Sequence, residues 1–160
     1  MTIKLSTMPG ANPSTEIENL DALSAPAKEL LDGKIYATVA TLRKSGPPHV
    51  TVVWCDRDSD HVYINSAKGR IKDRNLRERP EITLHLMNPA NMYHWLAIEG
   101  KVVEILDEDD PARGAEVTEH VDDLGEFYVN KRPYPNRAPG EIRVKYKIEP
   151  TRILTFGPLG

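Results

Sequence analysis

The fold is decided by two alternating stretches, IYATVATL at residues 35–42 and HVTVVWC at residues 49–55. Both are rich in β-branched residues and have the period of two that is typical of a half-buried strand. Between them lies RKSGPP, residues 43–48, in which one glycine and two prolines favour a turn. The sequence therefore predicts a β-hairpin within an antiparallel sheet.

Alternating apolar and polar residues predict five more strands, at residues 61–66, 81–87, 93–106, 142–148 and 152–156. The chain lacks the regular β-α-β order of a parallel sheet and has no repeat of 20–50 residues. About seven strands are enough to close a small barrel, which removes exposed strand edges. We therefore predict a mainly β, α+β fold, an antiparallel barrel with short helices at its ends. A sandwich is the alternative that this pattern leaves open.

The spacing of apolar residues predicts four short helices, which begin near Ser14 or Thr15, after Pro26, at Gly69 and at the acidic stretch 107–111. We expect the second helix to end at Gly33, the third at Pro80 and the fourth near Val121.

Residues 1–14 contain Pro9, Gly10 and Pro13 and are predicted to form a flexible arm, which leaves residues 15–160 as one domain. Hydrophobic residues make up 39% of the chain and charged residues 28%, as in ordinary soluble proteins. No apolar run reaches the length of a membrane-spanning helix, and the polar N-terminus lacks the apolar core of a signal peptide. We therefore expect a cytoplasmic protein with no membrane partner.

The composition also excludes several kinds of chemistry. The net charge of −3 gives no general attraction for nucleic acid, and Cys55 is the single cysteine, so an internal disulfide is impossible. No Cys/His spacing fits a metal site, and the motifs of nucleotide hydrolysis, zinc proteolysis and serine hydrolysis are missing. No catalytic residue and no metal ligand is predicted.

Basic residues are concentrated in one short segment, residues 66–79, which has six basic and two acidic residues. It lies where a predicted strand gives way to a predicted helix, so Ser66, Arg70 and Lys72 could hold a phosphate beside the helix N-terminus. The strand 49–54 would then offer its backbone to a planar ring. The alternative interpretation is that these basic residues only solvate a surface helix. A nucleic-acid module built on this helix is disfavoured, because no aromatic RNA-binding pattern accompanies it.

Four pieces of sequence together resemble the pyridoxamine 5'-phosphate oxidase-like split β-barrel superfamily, and within it the flavin/deazaflavin oxidoreductase B group. The most specific piece is the Arg-x-Lys-x-x-Asn-Leu run at residues 70–76, followed by the pair Glu99-Gly100. The other pieces are YATVATL at residues 36–42 and GPPHVTVVW at residues 46–54. The resemblance covers roughly residues 30–156 and implies an antiparallel split β-barrel of the FMN-binding type.

The resemblance implies a homodimer with the cofactor at the subunit interface. The cofactor would be coenzyme F420, or alternatively FMN, with its phosphate on the run at residues 70–76 and its ring along the second strand. Tyr93 and Trp95 become candidates to border the ring. The cofactor-binding residues implied in this way are His49, Val50, Thr51, Val52, Val53, Trp54, Ser66, Ala67, Arg70, Lys72, Asn75 and Tyr93.

Two departures from relatives refine this expectation. Val52 and Val53 are apolar where many flavin-binding relatives have polar residues. Residues 151–154 lack the substrate-phosphate arginine/histidine pattern of true pyridoxamine phosphate oxidases, so that activity is not implied.

The function that we expect is an F420-dependent oxidoreductase that transfers a hydride to an activated C=C, C=N or C=O bond of a small-molecule acceptor. Such chemistry belongs to the cofactor, which explains why no acid/base group is visible. The loop at residues 128–137 would cover the acceptor with its cations. The alternatives are an FMN-dependent oxidoreductase and a non-catalytic deazaflavin carrier.

Overall fold

A computed structural model describes residues 2–7 and 15–157 of the chain. It contains nine strands: β1 (Ile3–Ser6), β2 (Thr15–Ile17), β3 (Ala37–Leu42), β4 (Pro48–Val53), β5 (Cys55–Arg57), β6 (Val62–Ala67), β7 (Glu81–Met87), β8 (Trp95–Asp107) and β9 (Arg143–Phe156). The three helices are α1 (Ala25–Asp32), α2 (Ile71–Glu78) and α3 (Gly114–Val129), and one 3-10 turn spans Leu20–Ala22.

The strands form one sheet in the order β2-β1-β9-β8-β7-β3-β4, and all neighbours are antiparallel except β1 and β9. The long strand β9 pairs with β8 on one side. On its other side, β6 pairs with its first half and β1 with its second half. The mainly β class is therefore confirmed. A closed barrel is not confirmed, because β4 and β6 share no hydrogen-bonded ladder within the described residues. The sheet therefore stays open between these two strands.

The core lies on the inner face of this curved sheet. Leu84, Ile98, Tyr146 and Ile148 are fully buried, and they alternate with half-buried neighbours as the pleat of a strand requires. Ile64 of β6 is fully buried as well. Helices α1 and α2 contribute buried apolar residues to this core, and α3 packs against β6, β8 and β9. No helix among the described residues has the length and hydropathy to cross a membrane.

The predicted hairpin, the strands at residues 61–66 and 81–87 and the helix after Gly69 are confirmed as β3–β4, β6, β7 and α2. The helix predicted from Ser14 or Thr15 is wrong, because Thr15–Ile17 forms β2 and the first α-helix begins at Ala25. Residues 3–6, inside the predicted arm, form β1 on β9. Residues 8–14 lie outside the described residues.

Three boundaries in the second half of the chain differ from the prediction. Helix α3 begins at Gly114 and not at the acidic stretch 107–111, because β8 extends to Asp107 and turns follow it. Helix α3 runs to Val129, because Val121, Leu124 and Tyr128 continue its buried stripe. The strands predicted at residues 142–148 and 152–156 form one continuous strand, β9. It passes through Pro150, where its pairing with β8 shifts register between Glu99 and Gly100. Proline lacks the N–H that a regular ladder needs, so a shift accommodates it.

Candidate functional site

A cleft lies where the sheet is open, between β4 and β6, and helices α2 and α3 border it. Its volume is about 270 Å³. The lining residues are Tyr36, Val52, Val53, Trp54, Asn65, Arg70, Lys72, Val121, Leu124, Tyr134 and Arg143. An adjoining hollow of about 440 Å³ shares Val52, Arg70 and Lys72 and adds His49, Thr51 and Ile71.

One end of the cleft is cationic, with Arg70, Lys72 and Arg143 among its lining residues. Lys72 is 6% exposed, and its ammonium makes no hydrogen bond or ion pair within residues 2–7 and 15–157. Burial, and then repulsion by Arg70 and Arg143, lowers the pKa of Lys72 to about 8. A buried cation without an anion beside it is costly, so this end of the cleft is suited to an anionic ligand.

One carboxylate, that of Glu141, pairs with both arginines of the cationic end. Its Oε2 atom accepts a hydrogen bond of 2.6 Å from Nη2 of Arg70, and its Oε1 atom accepts one of 2.6 Å from Nη1 of Arg143. Burial opposes the ionisation of Glu141, but the contacts with Arg143 and Arg70 outweigh it and lower its pKa. The pairing leaves the cationic end with an excess of positive charge.

Strand β4 borders the cleft as an edge strand. Within the described residues it pairs with β3 alone, so the backbone groups on its other edge are not engaged in a ladder. Nδ1 of His49 and Oγ1 of Thr51 are buried and have no hydrogen-bond partner in the described structure, and the same is true of Oγ of Ser66 at the end of β6. Buried polar atoms are normally hydrogen-bonded, so unpartnered ones point to a missing ligand or water.

The other end of the cleft is aromatic. The Trp54 ring stacks on Tyr128 with ring centroids 5.3 Å apart, and Tyr134 meets it edge-on at 5.7 Å. The Tyr36 ring is tilted against both Trp54 and Tyr128. The hydroxyl of Tyr128 is engaged with the backbone, because it donates to the carbonyl of Cys55 at 3.0 Å. This end offers flat apolar faces to a ligand.

Local contacts of Asp73 fix the start of α2 beside the cationic end. Its carboxylate accepts a hydrogen bond of 2.7 Å from the backbone N–H of Gly69 and another of 2.7 Å from the Tyr146 hydroxyl. Gly69 has φ +82°, a conformation that favours glycine. The turn is thereby anchored to β9, and Lys72 is directed into the cleft.

The structure brings seven of the predicted site residues together: His49, Thr51, Val52, Val53, Trp54, Arg70 and Lys72 line the two hollows. Ser66 and Ala67 are buried at the end of β6 and line neither hollow. Val50 is 57% exposed and lines neither hollow, and Asn75 donates its side-chain hydrogen bond to Thr41 instead.

Tyr93 lies outside the lining of both hollows. Its side chain is 68% exposed and contacts the Phe156 ring. Trp95 stacks on the same phenylalanine, with ring centroids 6.1 Å apart. Within one subunit, neither aromatic residue lines the cleft.

Seven residues that line the two hollows were not predicted as ligand contacts: Tyr36, Asn65, Ile71, Val121, Leu124, Tyr134 and Arg143. Arg143 stands in the alternating stretch 142–148, where a cation ordinarily faces solvent, whereas it is 3% exposed. The loop at residues 128–137 does reach the cleft, but through Tyr134. Its arginines turn away, since Arg132 pairs with α3 and Arg137 pairs with Glu108.

Comparison with known proteins gives one family and several solved structures of similar fold. The family model described as pyridoxamine 5'-phosphate oxidase matches residues 23–153. A solved structure described as an F420 reductase is 24% identical, covers 82% of this chain and 98% of its own, and has a TM-score of 0.69.

Two further solved structures share the fold at lower identity. A conserved hypothetical protein from Mycobacterium tuberculosis is 19% identical, with 76% of each chain covered and a TM-score of 0.57. The heme storage protein HutZ from Vibrio cholerae is 14% identical, with 81% of this chain and 92% of its own covered and a TM-score of 0.62. No curated protein matches the sequence.

Proposed function

The chain belongs to the pyridoxamine 5'-phosphate oxidase family, and we propose that it is an oxidoreductase that binds coenzyme F420 in the cleft between β4 and β6. It would transfer a hydride between the reduced coenzyme and an activated C=C, C=N or C=O bond of a small acceptor. When bound, the deazaflavin supplies the hydride chemistry, and the protein supplies binding, orientation and shelter from water.

The observation that carries this proposal is Lys72, a buried residue whose ammonium has no anionic partner in the described structure. Arg70 beside it adds a planar fork of donors that suits a phosphate. Ser66 at the end of β6 adds an unpartnered buried hydroxyl. The residues present therefore fit a ligand with a phosphate at this end.

The ring would lie along β4 towards the aromatic end. The free edge of this strand offers backbone donors and acceptors, which suit the polar edge of a deazaflavin or flavin ring. Val52 is 60% exposed and would contact the ring with an apolar side chain. Trp54 and Tyr134 would exclude water from the ring and from the acceptor.

The choice of F420 is supported by the sequence run at residues 70–76 and by the fold shared with an F420 reductase. FMN is the second candidate, because the family model that matches the chain is that of an oxidase of pyridoxamine 5'-phosphate. Both coenzymes carry a phosphate, so the cationic end suits either one. A carrier that binds F420 without turnover remains a distinct alternative.

We also propose that the protein acts as a homodimer. Val50 and Val52 are more than half exposed on an edge strand, and Tyr36 beside the cleft is 51% exposed. Large apolar surfaces of this kind are usually covered by a partner. A second copy would cover β4 and the open side of the cleft, where Tyr93 of that copy is a candidate to border the ring.

The test is a titration of the purified protein with F420 and with FMN, followed by turnover with a panel of acceptors. We expect micromolar binding of F420, seen as a change in coenzyme fluorescence, and oxidation of reduced F420 by an acceptor with an activated double bond. A yellow protein that retains FMN would favour the second candidate. Binding of F420 without turnover of any acceptor would support the carrier, and binding of neither coenzyme would refute the assignment.

A further inference from the structure

A chain of buried hydrogen bonds connects the surface at β5 with the cationic end of the cleft. Nε2 of His120 lies 2.9 Å from Oδ1 of Asp56, and Nδ1 of His120 lies 3.3 Å from Nδ2 of Asn65. Oδ1 of Asn65 accepts a hydrogen bond of 2.9 Å from Nε of Arg143. His120, Asn65 and Arg143 are 5%, 7% and 3% exposed. The two last residues line the cleft, whereas His120 stands behind them.

The donors and acceptors in this chain determine the protonation of His120. Arginine can only donate, so the Asn65 atom next to Nε of Arg143 must be the oxygen. The amide nitrogen of Asn65 then faces His120 and also donates to the Val117 carbonyl at 3.4 Å. Nδ1 of His120 must therefore accept, which leaves the imidazole proton on Nε2, where it is donated to Asp56.

We propose that His120 is a positioning residue for coenzyme binding, and its role in binding rests on the proposed function. In its neutral form, with the proton on Nε2, it orients Asn65, and Asn65 holds Arg143 at the cationic end of the cleft. A second proton on Nδ1 would bring two donors face to face. Asn65 must then turn its oxygen to His120, and the hydrogen bond to Arg143 is lost. Protonation of His120 thereby loosens the anion site.

The surroundings of His120 show why Nδ1 is the sensitive atom. Asp56 of β5 accepts from Nε2 in both protonation states, so this hydrogen bond is kept when Nδ1 gains a proton. The Tyr63 ring of β6 meets the imidazole edge-on, with ring centroids 6.3 Å apart. Nζ of Lys145, on β9, lies over the tyrosine ring at 4.8 Å from its centroid. The proton-dependent change therefore falls on the contact with Asn65.

The first test needs no coenzyme. Long-range proton–nitrogen NMR of the full chain at pH 7.5 should show a neutral His120 with its proton on Nε2, and a slowly exchanging Hε signal from Arg143. Acidification should protonate Nδ1 of His120 and, in the same pH range, broaden or remove the Arg143 signal. A proton on Nδ1 at pH 7.5, or an Arg143 signal that does not change when His120 is protonated, would overturn the proposal.

Variants then connect this change to binding. His120→Gln offers an oxygen to Asn65 and an amide to Asp56 but does not titrate, whereas His120→Leu offers neither. We expect F420 to bind the wild type about 10-fold more weakly at pH 5.5 than at pH 7.5. His120→Gln should bind equally at both pH values, and His120→Leu should be about 10-fold weaker at both. A wild-type pH dependence that persists in His120→Gln would contradict the proposal.

His94→Leu is the matched control, since His94 is also 5% exposed but donates from Nε2 to the carbonyl of Pro26, away from the cleft. It should lower stability without changing the Arg143 signal or F420 affinity. If His120→Leu does not fold, the pH titration of the wild type and the affinity of His120→Gln at both pH values still test the proposal. If the wild type binds neither F420 nor FMN, the proposed function fails, while the two NMR signals still test the link between His120 and Arg143.

Discussion

Nδ2 of Asn75 donates a hydrogen bond of 2.9 Å to Oγ1 of Thr41, and this contact ties α2 to β3. Both residues are buried, with 7% and 1% of their surface exposed. Asn75 follows Lys72 by one helical turn, so the bond fixes the rotation that directs Lys72 into the cleft. In this structure, the asparagine of the run at residues 70–76 holds the helix that carries the cation.

The contact between Asn75 and Thr41 gives the first prediction. Asn75→Ala and Thr41→Val should each lower the free energy of unfolding by about 1–3 kcal/mol, because each leaves a buried polar atom unpaired. The double variant should lose less than the sum, as expected for residues in direct contact. If Asn75 acts as an anchor, the two single variants weaken F420 binding equally in a titration. A loss in Asn75→Ala alone would indicate that Asn75 touches the coenzyme itself.

The second prediction concerns the unpaired ammonium. Lys72→Met should weaken F420 binding by about 10-fold to 100-fold, the effect of losing a charge-assisted hydrogen bond of about 1.5–3 kcal/mol. The same variant should leave the protein equally or more stable, since an uncompensated buried charge is removed. Lys68→Met is the control, because Lys68 pairs with Asp107 and Asp109 and lies outside the lining of the cleft. Equal affinities in the two variants would contradict the assignment.

The third prediction follows from the pKa of Lys72, which lies at about 8. The protonated ammonium attracts the phosphate, so a bound anion raises this pKa, and the contribution of Lys72 to affinity is greatest below pH 8. F420 affinity should therefore fall as the pH rises from about 8 to 10, and isothermal titration across this range measures it. In Lys72→Met the fall should be absent. A fall of the same size in the variant would assign the dependence to another group.

Local signals were enough to predict β3, β4 and α2, because alternation and turn residues lie within a few positions of one another. They also indicated Arg70 and Lys72, since the excess of positive charge is confined to one short segment. Strand β1 was missed because it is four residues long and pairs with β9, at the other end of the chain.

Arg143 illustrates the limit of the sequence pattern. It stands in an alternating strand where a solvent-facing cation is the ordinary outcome, and the residues that make its burial possible are Asn65, Glu141 and Tyr134. Asn65 lies 78 positions away, and no periodicity connects residues at that distance. Tyr134 was likewise missed, because the prediction for the loop at residues 128–137 was based on its cations.

The fourth prediction uses the two tryptophans of the chain. Trp54 borders the cleft, while Trp95 stacks on Phe156 outside it. F420 binding should quench the fluorescence of Trp95→Phe, in which Trp54 remains, as strongly as that of the wild type. In Trp54→Phe the quenching should be largely lost. The reverse pattern would place the ring beside Trp95, on the surface that a second subunit would supply.

The fifth prediction tests the proposed dimer. Val50 is 57% exposed on the edge strand β4, and a carboxylate there would be desolvated if a second copy covers this strand. Val50→Glu should therefore shift the protein from dimer to monomer in sedimentation velocity experiments. Phe127→Glu, at a position 42% exposed on α3, is the control and should leave the dimer intact.

The dimer and the cofactor site are connected, because Val50 lies between His49 and Thr51, whose unpartnered polar atoms point to a ligand. If the second copy completes the site, the monomeric Val50→Glu variant should also lose affinity for F420, although Val50 lines neither hollow. Retained affinity in a monomer would mean that one subunit holds the coenzyme alone. A dimer that persists in Val50→Glu would place the interface on another face, and Tyr93 would then lose its proposed position at the ring.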